Sequence, residues 1–278
     1  MKFCAFADEA SPAISGQIAA MNRNGISLLE IRGVDGENIS AITPAKAKEV
    51  RRRMDDAGLA VWSMGSPIGK ISLADDFAPH LDSFKRILEY ADILGASKIR
   101  LFSFYPIAGE SDSVTLEKVL ERLNAFCEVT PNSIVLCHEN EKKIYGETAE
   151  RCLAIHRALP RLRAVFDPAN FVQCDVNTLQ AWELLKDYVE YLHIKDAMAD
   201  GVVVPAGHGI GNLAEIIKRY LAQGGEVMTL EPHLTKFIGL DKLENGESLK
   251  PGLSIYRSND EAFDAAVAAL KAITNKIG

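Results

Sequence analysis

The chain of 278 residues is 47% hydrophobic and 25% charged, a composition typical of a soluble globular protein with a sizeable core. Its formal net charge of −7 opposes broad binding to a phosphate backbone, so we expect no nucleic acid partner. The five cysteines are scattered without a Cys-x-x-Cys pair, and acidic Asp8 and Glu9 come too early for a secretory signal. No apolar run approaches the roughly 18 residues of a membrane span. These features predict a cytoplasmic protein without a membrane partner.

Strand-like and helix-like segments alternate along the chain. Short apolar runs predict strands at 2–7, 27–31, 59–64, 98–104, 133–139, 161–167, 188–193 and 226–231. A helical segment follows each strand, at 12–24, 44–57, 78–94, 114–128, 147–158, 178–187, 213–222 and 260–277. Thr43 before Pro44 predicts an N-cap and a first helical residue, and Gly25, Gly58 and Gly95 predict helix ends.

Eight strand–helix units without a break in composition predict one α/β domain over residues 1–278, a (β/α)8 TIM barrel. A doubly wound open sheet is the alternative, but no Gly-x-Gly-x-x-Gly turn follows a strand. The longest irregular stretch, 234–257, follows the eighth strand, where an ordered loop of that length often lies over a site.

Four consecutive strands end in a side chain that can bind a metal ion: Glu139, Asp167, His193 and Glu231. Because the carboxyl ends of barrel strands meet at one mouth, we expect these four side chains to converge. Three carboxylates and one imidazole suit one divalent ion (Mn²⁺, Mg²⁺, Co²⁺, Fe²⁺ or Zn²⁺) with positions left for substrate oxygens. The alternative is that each acid caps a helix or pairs with a lysine, which explains a single strand end better than four in succession.

The alternation of side chains along a strand predicts which neighbours share the site. If Glu139 points into the barrel, Cys137 does so too, and His138 points outward to the helices as a structural residue. On the eighth strand the same rule places Thr229 inside with Glu231. The sequence therefore predicts that the histidine adjacent to Glu139 is not a ligand.

The chain resembles the xylose-isomerase-like TIM-barrel superfamily, and within it the sugar phosphate isomerase/epimerase branch, in four strings: His-Glu139-Asn, Phe-Asp167-Pro-Ala-Asn170, Leu-His193-Ile-Lys-Asp196 and Leu-Glu231-Pro-His233. The resemblance implies a divalent ion on Glu139, Asp167, His193 and Glu231. In ketose epimerases of the family, the glutamates that match Glu139 and Glu231 also exchange the substrate proton. The implied chemistry is proton abstraction next to a carbonyl through a metal-stabilised enediolate.

Two positions depart from the family pattern. The epimerases carry a substrate-binding histidine where this chain has Asn170, and an asparagine can still bind a substrate hydroxyl although it carries no charge. Relatives usually read Gly-Glu-Gly where this chain has His208 between Gly207 and Gly209. His208 is a candidate rim ligand or acid/base, with a plain loop histidine as the alternative.

Further candidates lie at other strand ends. Lys195 is a candidate for neutralising a substrate phosphate or carboxylate, or else for a local ion pair with Asp196. Glu9 is a candidate for binding substrate hydroxyls, as are Glu30 and Arg32, with a salt bridge at the rim as the alternative. His233 is predicted either to face the mouth or to pack under the loop that follows it.

These residues predict a metal-dependent isomerase or epimerase of a small sugar, sugar phosphate or polyol derivative. A lyase that dehydrates a keto-polyol or a dehydroshikimate-like ring on the same site is the first alternative. A non-catalytic sugar-binding barrel is the second, and an apurinic-site endonuclease is disfavoured by the few histidines and the negative charge. The expected partner is a small carbohydrate, and a homo-oligomer is compatible with the resemblance.

Overall fold

A computed structural model describes residues 1–238 and 255–277. Eight parallel strands close into a barrel in sequence order, and pairing of Lys2 with Val227 joins the first strand to the last. The strands are β1 (Lys2–Ala5), β2 (Leu28–Ile31), β3 (Ala60–Gly65), β4 (Lys98–Leu101), β5 (Val135–Glu139), β6 (Arg163–Phe166), β7 (Val189–Ile194) and β8 (Val227–Leu230). The predicted TIM barrel is confirmed, with most strands shorter than their apolar runs.

Helices surround the barrel. They are α1 (Ile14–Asn24), α2 (Pro44–Asp56), α3 (Ala78–Leu94), α4 (Asp112–Val129), α5 (Ala149–Ala158), α6 (Pro168–Gln173), α7 (Thr178–Leu185), α8 (Leu213–Ala222) and α9 (Asn259–Ile277). The Thr43 side chain accepts a hydrogen bond from the Lys46 amide, as its N-cap position predicts. Gly25 and Gly95 end α1 and α3 in the left-handed conformation, which glycine adopts without steric cost.

The short helix α6 is absent from the sequence prediction. Asp167 is its N-cap and accepts from the amide of Asn170, while Pro168 supplies a preset φ at the first helical position. The helix is only six residues long, too short to show helical periodicity. As a result, Asp167 combines a helix-capping role with its place at the mouth.

Two kinds of packing fill the molecule. A large apolar core lies between the strands and the helices, and a smaller cluster of Cys137, Val165 and Tyr191, with Trp62 packed against it, lies inside the barrel. His138 lies outside, with its ring 5.6 Å from the ring of His156 on α5. The alternation predicted for β5 is therefore correct.

Short antiparallel ladders follow β2 (Gly33–Val34 with Glu37–Asn38) and β7 (Asp196–Ala197 with Val203–Val204). The irregular stretch predicted at 234–257 falls for the most part outside the described residues. Among the described helices, none combines the length and apolar character required to cross a membrane.

Candidate metal centre and active site

The four predicted ligands converge at the C-terminal mouth of the barrel. Glu139, Asp167, His193 and Glu231 each offer a ligand atom, and these atoms lie within 4.8 Å of one another. Nδ1 of His193 lies 2.9 Å from Oε1 of Glu139 and 3.5 Å from Oε2 of Glu231. All four side chains are buried.

Neighbouring residues hold Asp167 at this position. The Asn140 amide donates to the Asp167 carbonyl and its oxygen accepts from the Asp167 amide, both at 2.9 Å. One carboxylate oxygen of Asp167 caps α6 through the Asn170 amide. The other, Oδ2, is buried and accepts no well-directed hydrogen bond.

Lys195 lies among the ligands. Its Nζ is 3.1 Å from Oδ2 of Asp167 and 3.2 Å from Oε2 of Glu231, although the first contact lacks the angles of a hydrogen bond. Its partners are therefore these two carboxylates and not the adjacent Asp196. The incompletely bonded Asp167 oxygen and the donor set of three carboxylates and one imidazole fit a divalent ion.

Each of the two ligand glutamates, Glu139 and Glu231, has one carboxylate oxygen in contact with a different arginine. Arg32 donates to Oε1 of Glu231 at 3.0 Å, and Arg100 forms an ion pair with Oε2 of Glu139 at 3.2 Å. The second oxygen of each carboxylate is the one that faces His193. Each glutamate thus has one oxygen beside an arginine and the other directed at the ligand cluster, although the contact of Arg100 Nε lacks the angles of a hydrogen bond.

The surroundings shift the protonation of these groups. Burial raises the pKa of Asp167 to about 6, although Lys195 opposes the rise. Burial would also raise the pKa of Glu231, but the charge interactions with Lys195 and then with His233 outweigh it and hold that pKa well below its usual range. Burial disfavours a charged His193, yet Glu139 and Glu30 raise its pKa well above the usual value. Without a metal ion, positive charge on His193 and Lys195 offsets the clustered carboxylates.

Glu9 and His233 belong to a second group of ligand-type atoms together with Glu231. The guanidinium of Arg32 donates to Glu9 at 3.0 Å and to Asp8 at 3.0 Å, so cationic nitrogen already lies within this group. Nε2 of His233 lies 3.3 Å from Glu231, which places this histidine at the mouth. Glu9 and Arg32, which were candidates for binding substrate hydroxyls, therefore form a salt bridge with each other, as the alternative prediction had it.

Asn170 and His208 lie in different surroundings. Asn170 is buried, and its amide donates to the Asn140 carbonyl at 2.9 Å and to Oε1 of Glu139 at 3.4 Å. His208 is exposed, and among the described residues its side chain joins neither group of ligand-type atoms. The structure therefore brings Asn170 to the predicted site and leaves His208 outside it.

Asp196 holds the glycine loop that carries His208. Its Oδ2 accepts from the amides of Gly207 and Gly209, and its Oδ1 accepts from those of Ala197 and Gly211. Four backbone donors on a fully buried carboxylate make Asp196 a structural residue of the motif.

Two cationic side chains at the mouth, Arg100 and Lys70, were not among the site residues predicted from the sequence. Arg100 lies within an apolar strand run, and a charge at such a position was the signal that could have indicated it. Lys70 pairs with Glu141 at 3.1 Å and follows Gly69, whose φ is +89°. A Cβ at Gly69 would lie 2.0 Å from the Phe102 carbonyl oxygen.

A cavity of about 500 Å³ opens beside Arg32. The loops after β1, β2, β3 and β4 line it, together with Phe237 and Ile238 after β8. Its volume lies within the range of about 300–1,000 Å³ that is usual for small-molecule sites. The cavity therefore provides room for a small molecule beside Arg32 and Asp8, whereas none of the four predicted metal ligands lines it.

The fold agrees with the comparison to known proteins. The family model of the xylose isomerase-like TIM barrel matches residues 18–258, and the chain belongs to that family. The resemblance noted from the sequence is confirmed. No curated protein matches the chain significantly.

Solved structures with the same fold are distant in sequence. The probable 3-DHS dehydratase AsbF of Bacillus anthracis is 16% identical, with a TM-score of 0.75 and coverage of 98% of this chain and 99% of that one. The IolI protein with a bound zinc atom is 13% identical, with a TM-score of 0.75 and coverage of 100% and 99%. D-psicose 3-epimerase of Clostridium cellulolyticum H10 is 14% identical, with a TM-score of 0.73 and coverage of 99% of both chains. At these identities the likeness shows the shared fold.

Proposed function

We propose that this chain is a divalent-metal-dependent isomerase or epimerase of a small, uncharged sugar or polyol derivative. Glu139, Asp167, His193 and Glu231 hold the ion, and Glu139 and Glu231 are the acid/base pair. The observation that carries the proposal is the matched arrangement of the two glutamates, each with one oxygen on an arginine and the other facing His193.

In this reaction one glutamate removes the proton from the carbon next to a carbonyl, and the other returns a proton. Return of a proton to the opposite face of the same carbon gives an epimer, and return to the neighbouring carbon gives an isomer. The hydrogen bond from Arg32 directs the Glu231 carboxylate and the ion pair with Arg100 restrains that of Glu139, so that little reorganisation accompanies proton transfer. A divalent ion on the four ligands would act as a Lewis acid toward the carbonyl and adjacent hydroxyl oxygens.

Lys195 and Asn170 bind substrate oxygens in this proposal. The Lys195 ammonium lies between Asp167 and Glu231, where it can donate to an oxygen that bears developing negative charge. Asn170 lies beside Glu139 and supplies an uncharged amide donor. Glu9 acts indirectly, since it holds Arg32 and accepts from the His233 amide at 2.6 Å.

The charges at the mouth favour an uncharged substrate. Seven buried or nearly buried carboxylates and four lysine or arginine side chains lie around the mouth. They are Asp8, Glu9, Glu30, Glu139, Glu141, Asp167 and Glu231, and Arg32, Lys70, Arg100 and Lys195. Each of the four cations already pairs with a carboxylate. Because all four cations already share their charge with carboxylates, none of them offers an unshared positive charge to a phosphate, and we infer that the substrate is uncharged.

The decisive experiment is solvent-deuterium exchange, followed by NMR, over a panel of free ketoses and ketose phosphates with Mn²⁺ added. We expect exchange at the carbon next to the carbonyl for a free ketose, and none for its phosphate. Glu139→Gln and Glu231→Gln should each abolish the exchange. Glu190→Gln, the same change at the opposite end of β7, should retain it. Absence of exchange from every ketose by the metal-loaded protein would refute the proposal.

A dehydratase is the second candidate on the same residues. The ammonium of Lys195 lies within 3.2 Å of Glu231, so an acid and a base are available for removing a proton and expelling a β-hydroxyl as water. The likeness to AsbF, which is described as a probable dehydratase, supports this alternative. Mass spectrometry separates the two, since only a dehydratase gives a product lighter by one water.

A further inference from the structure

The imidazole of His193 is contacted at both nitrogens. Nδ1 faces the ligand cluster, with Glu139 at 2.9 Å, whereas Nε2 faces Oε2 of Glu30 at 3.2 Å. Glu30 is fully buried on β2 and stands outside the four-residue ligand group. The Glu30 carboxylate therefore lies on the Nε2 side of the ring, whereas the ligand carboxylates lie on the Nδ1 side.

Glu30 is itself held in place. Its Oε1 accepts from the Tyr191 hydroxyl at 2.8 Å, and that hydroxyl also lies 3.3 Å from Oγ of Ser63. Phe6 and Tyr191 pack edge-on against the imidazole, with ring centroids 5.2 Å and 5.4 Å away. Carboxylate and ring are thus both restricted to one orientation.

We propose that Glu30 is the positioning residue of the metal centre, which accepts the Nε2 proton of His193 and so fixes Nδ1 as the ligand atom. A metal-bound imidazole must be unprotonated at the ligating nitrogen, and the hydrogen bond at the other nitrogen decides which one that is. A buried carboxylate in that place also increases the electron density on Nδ1. The inference rests on the metal site of the proposed function but concerns metal binding without substrate.

The test compares Mn²⁺ affinity, measured by calorimetry and by the EPR signal of free Mn²⁺, in three variants. Glu30→Gln keeps the shape and removes the charge, and we expect Mn²⁺ to bind about 10- to 100-fold more weakly. Tyr191→Phe leaves the carboxylate against Nε2, so a smaller loss is expected. Glu190→Gln is the matched control, because Glu190 pairs with Lys98 at 3.1 Å away from the mouth, and its affinity should be unchanged.

A second measurement uses the unmodified protein and does not depend on the folding of any variant. Long-range ¹H–¹⁵N NMR of the Zn²⁺-loaded protein should show His193 protonated at Nε2 and metal-bound at Nδ1. The opposite tautomer would overturn the inference, as would a folded Glu30→Gln variant that binds Mn²⁺ as tightly as the unmodified chain. If the metal results hold while no ketose exchanges its proton, only the proposed reaction fails.

Discussion

Replacement of Arg32 by methionine tests how much Arg32 contributes to stability through the buried carboxylates that it contacts at the mouth. The Arg32 side chain is 4% exposed, lies over the Phe6 ring at 4.4 Å, and donates at 3.0 Å to Asp8, Glu9 and Glu231. Methionine retains most of the apolar length but leaves three buried carboxylates without their shared cation.

Removal of one partner from a buried ion pair typically costs about 3–5 kcal/mol, because the remaining charge is uncompensated. We therefore expect Arg32→Met to lower the free energy of unfolding by about 4 kcal/mol. Adding Glu9→Gln should recover part of that loss, since one of the uncompensated charges is then absent. Glu9 is suited to this because burial, its largest influence, already raises its pKa.

Urea unfolding followed by circular dichroism, with chelator present, measures the effect, and equal m-values show that the same transition is compared. Arg23→Met is the control, because Arg23 also pairs with two carboxylates, Asp260 and Asp264, but its side chain is 42% exposed. Exposed pairs contribute about 0–1 kcal/mol, so this variant should lose less than about 1 kcal/mol. An equal loss in both variants would refute the reasoning.

Three further outcomes are expected. Gly69→Ala should lower the free energy of unfolding by more than about 2 kcal/mol, since its φ is +89° and a Cβ would lie 2.0 Å from the Phe102 carbonyl oxygen. Gly36→Ala is the control and should lower it by only about 1 kcal/mol, because Gly36 has a φ of +84° but no atom within 4 Å of the added Cβ. Burial lowers the pKa of His156 from 6.5 to about 4, so its contribution to stability is complete above pH 6.5 and falls by about 3 kcal/mol as the pH drops to 4. Urea unfolding across this range should show that decline, and His156→Gln should show a decline smaller by about 3 kcal/mol, since His80 and His138, whose pKa values burial also lowers, still contribute. Mn²⁺ at about 100 times its Kd should stabilise the protein by about 2.7 kcal/mol, and Asp167→Asn should lose most of that gain in a thermal scan.

Much of the site was predictable because the barrel repeats one strand–helix unit and because side chains alternate along each strand. Strand runs that end in Glu139, Asp167, His193 and Glu231 bring those residues to one mouth whenever the strands are parallel and the barrel closes. The same alternation predicted that His138 points outward, where it packs near His156. These conclusions need only local pattern and a known architecture.

The partners of the charged side chains could not be predicted in this way. Arg32 bonds Glu231, which is 199 positions away, and the two meet only because β1, β2 and β8 are neighbours in the closed barrel. Lys195 was a candidate for an ion pair with Asp196, yet the two point to opposite sides of the chain. Asp196 binds the amides of the glycine loop, while Lys195 reaches Asp167 and Glu231.

Repeated apolar runs and their polar ends specify direction and level along the barrel, so the barrel, its order of strands and the four side chains at its mouth follow from local sequence. The tertiary structure decided which oxygen of each glutamate faces His193 and which carboxylate lies behind that histidine. Direction along a strand is a local property, whereas distances across the mouth depend on barrel closure and on how neighbouring side chains pack. The pairing of Glu30 with Nε2 of His193 is of the second kind.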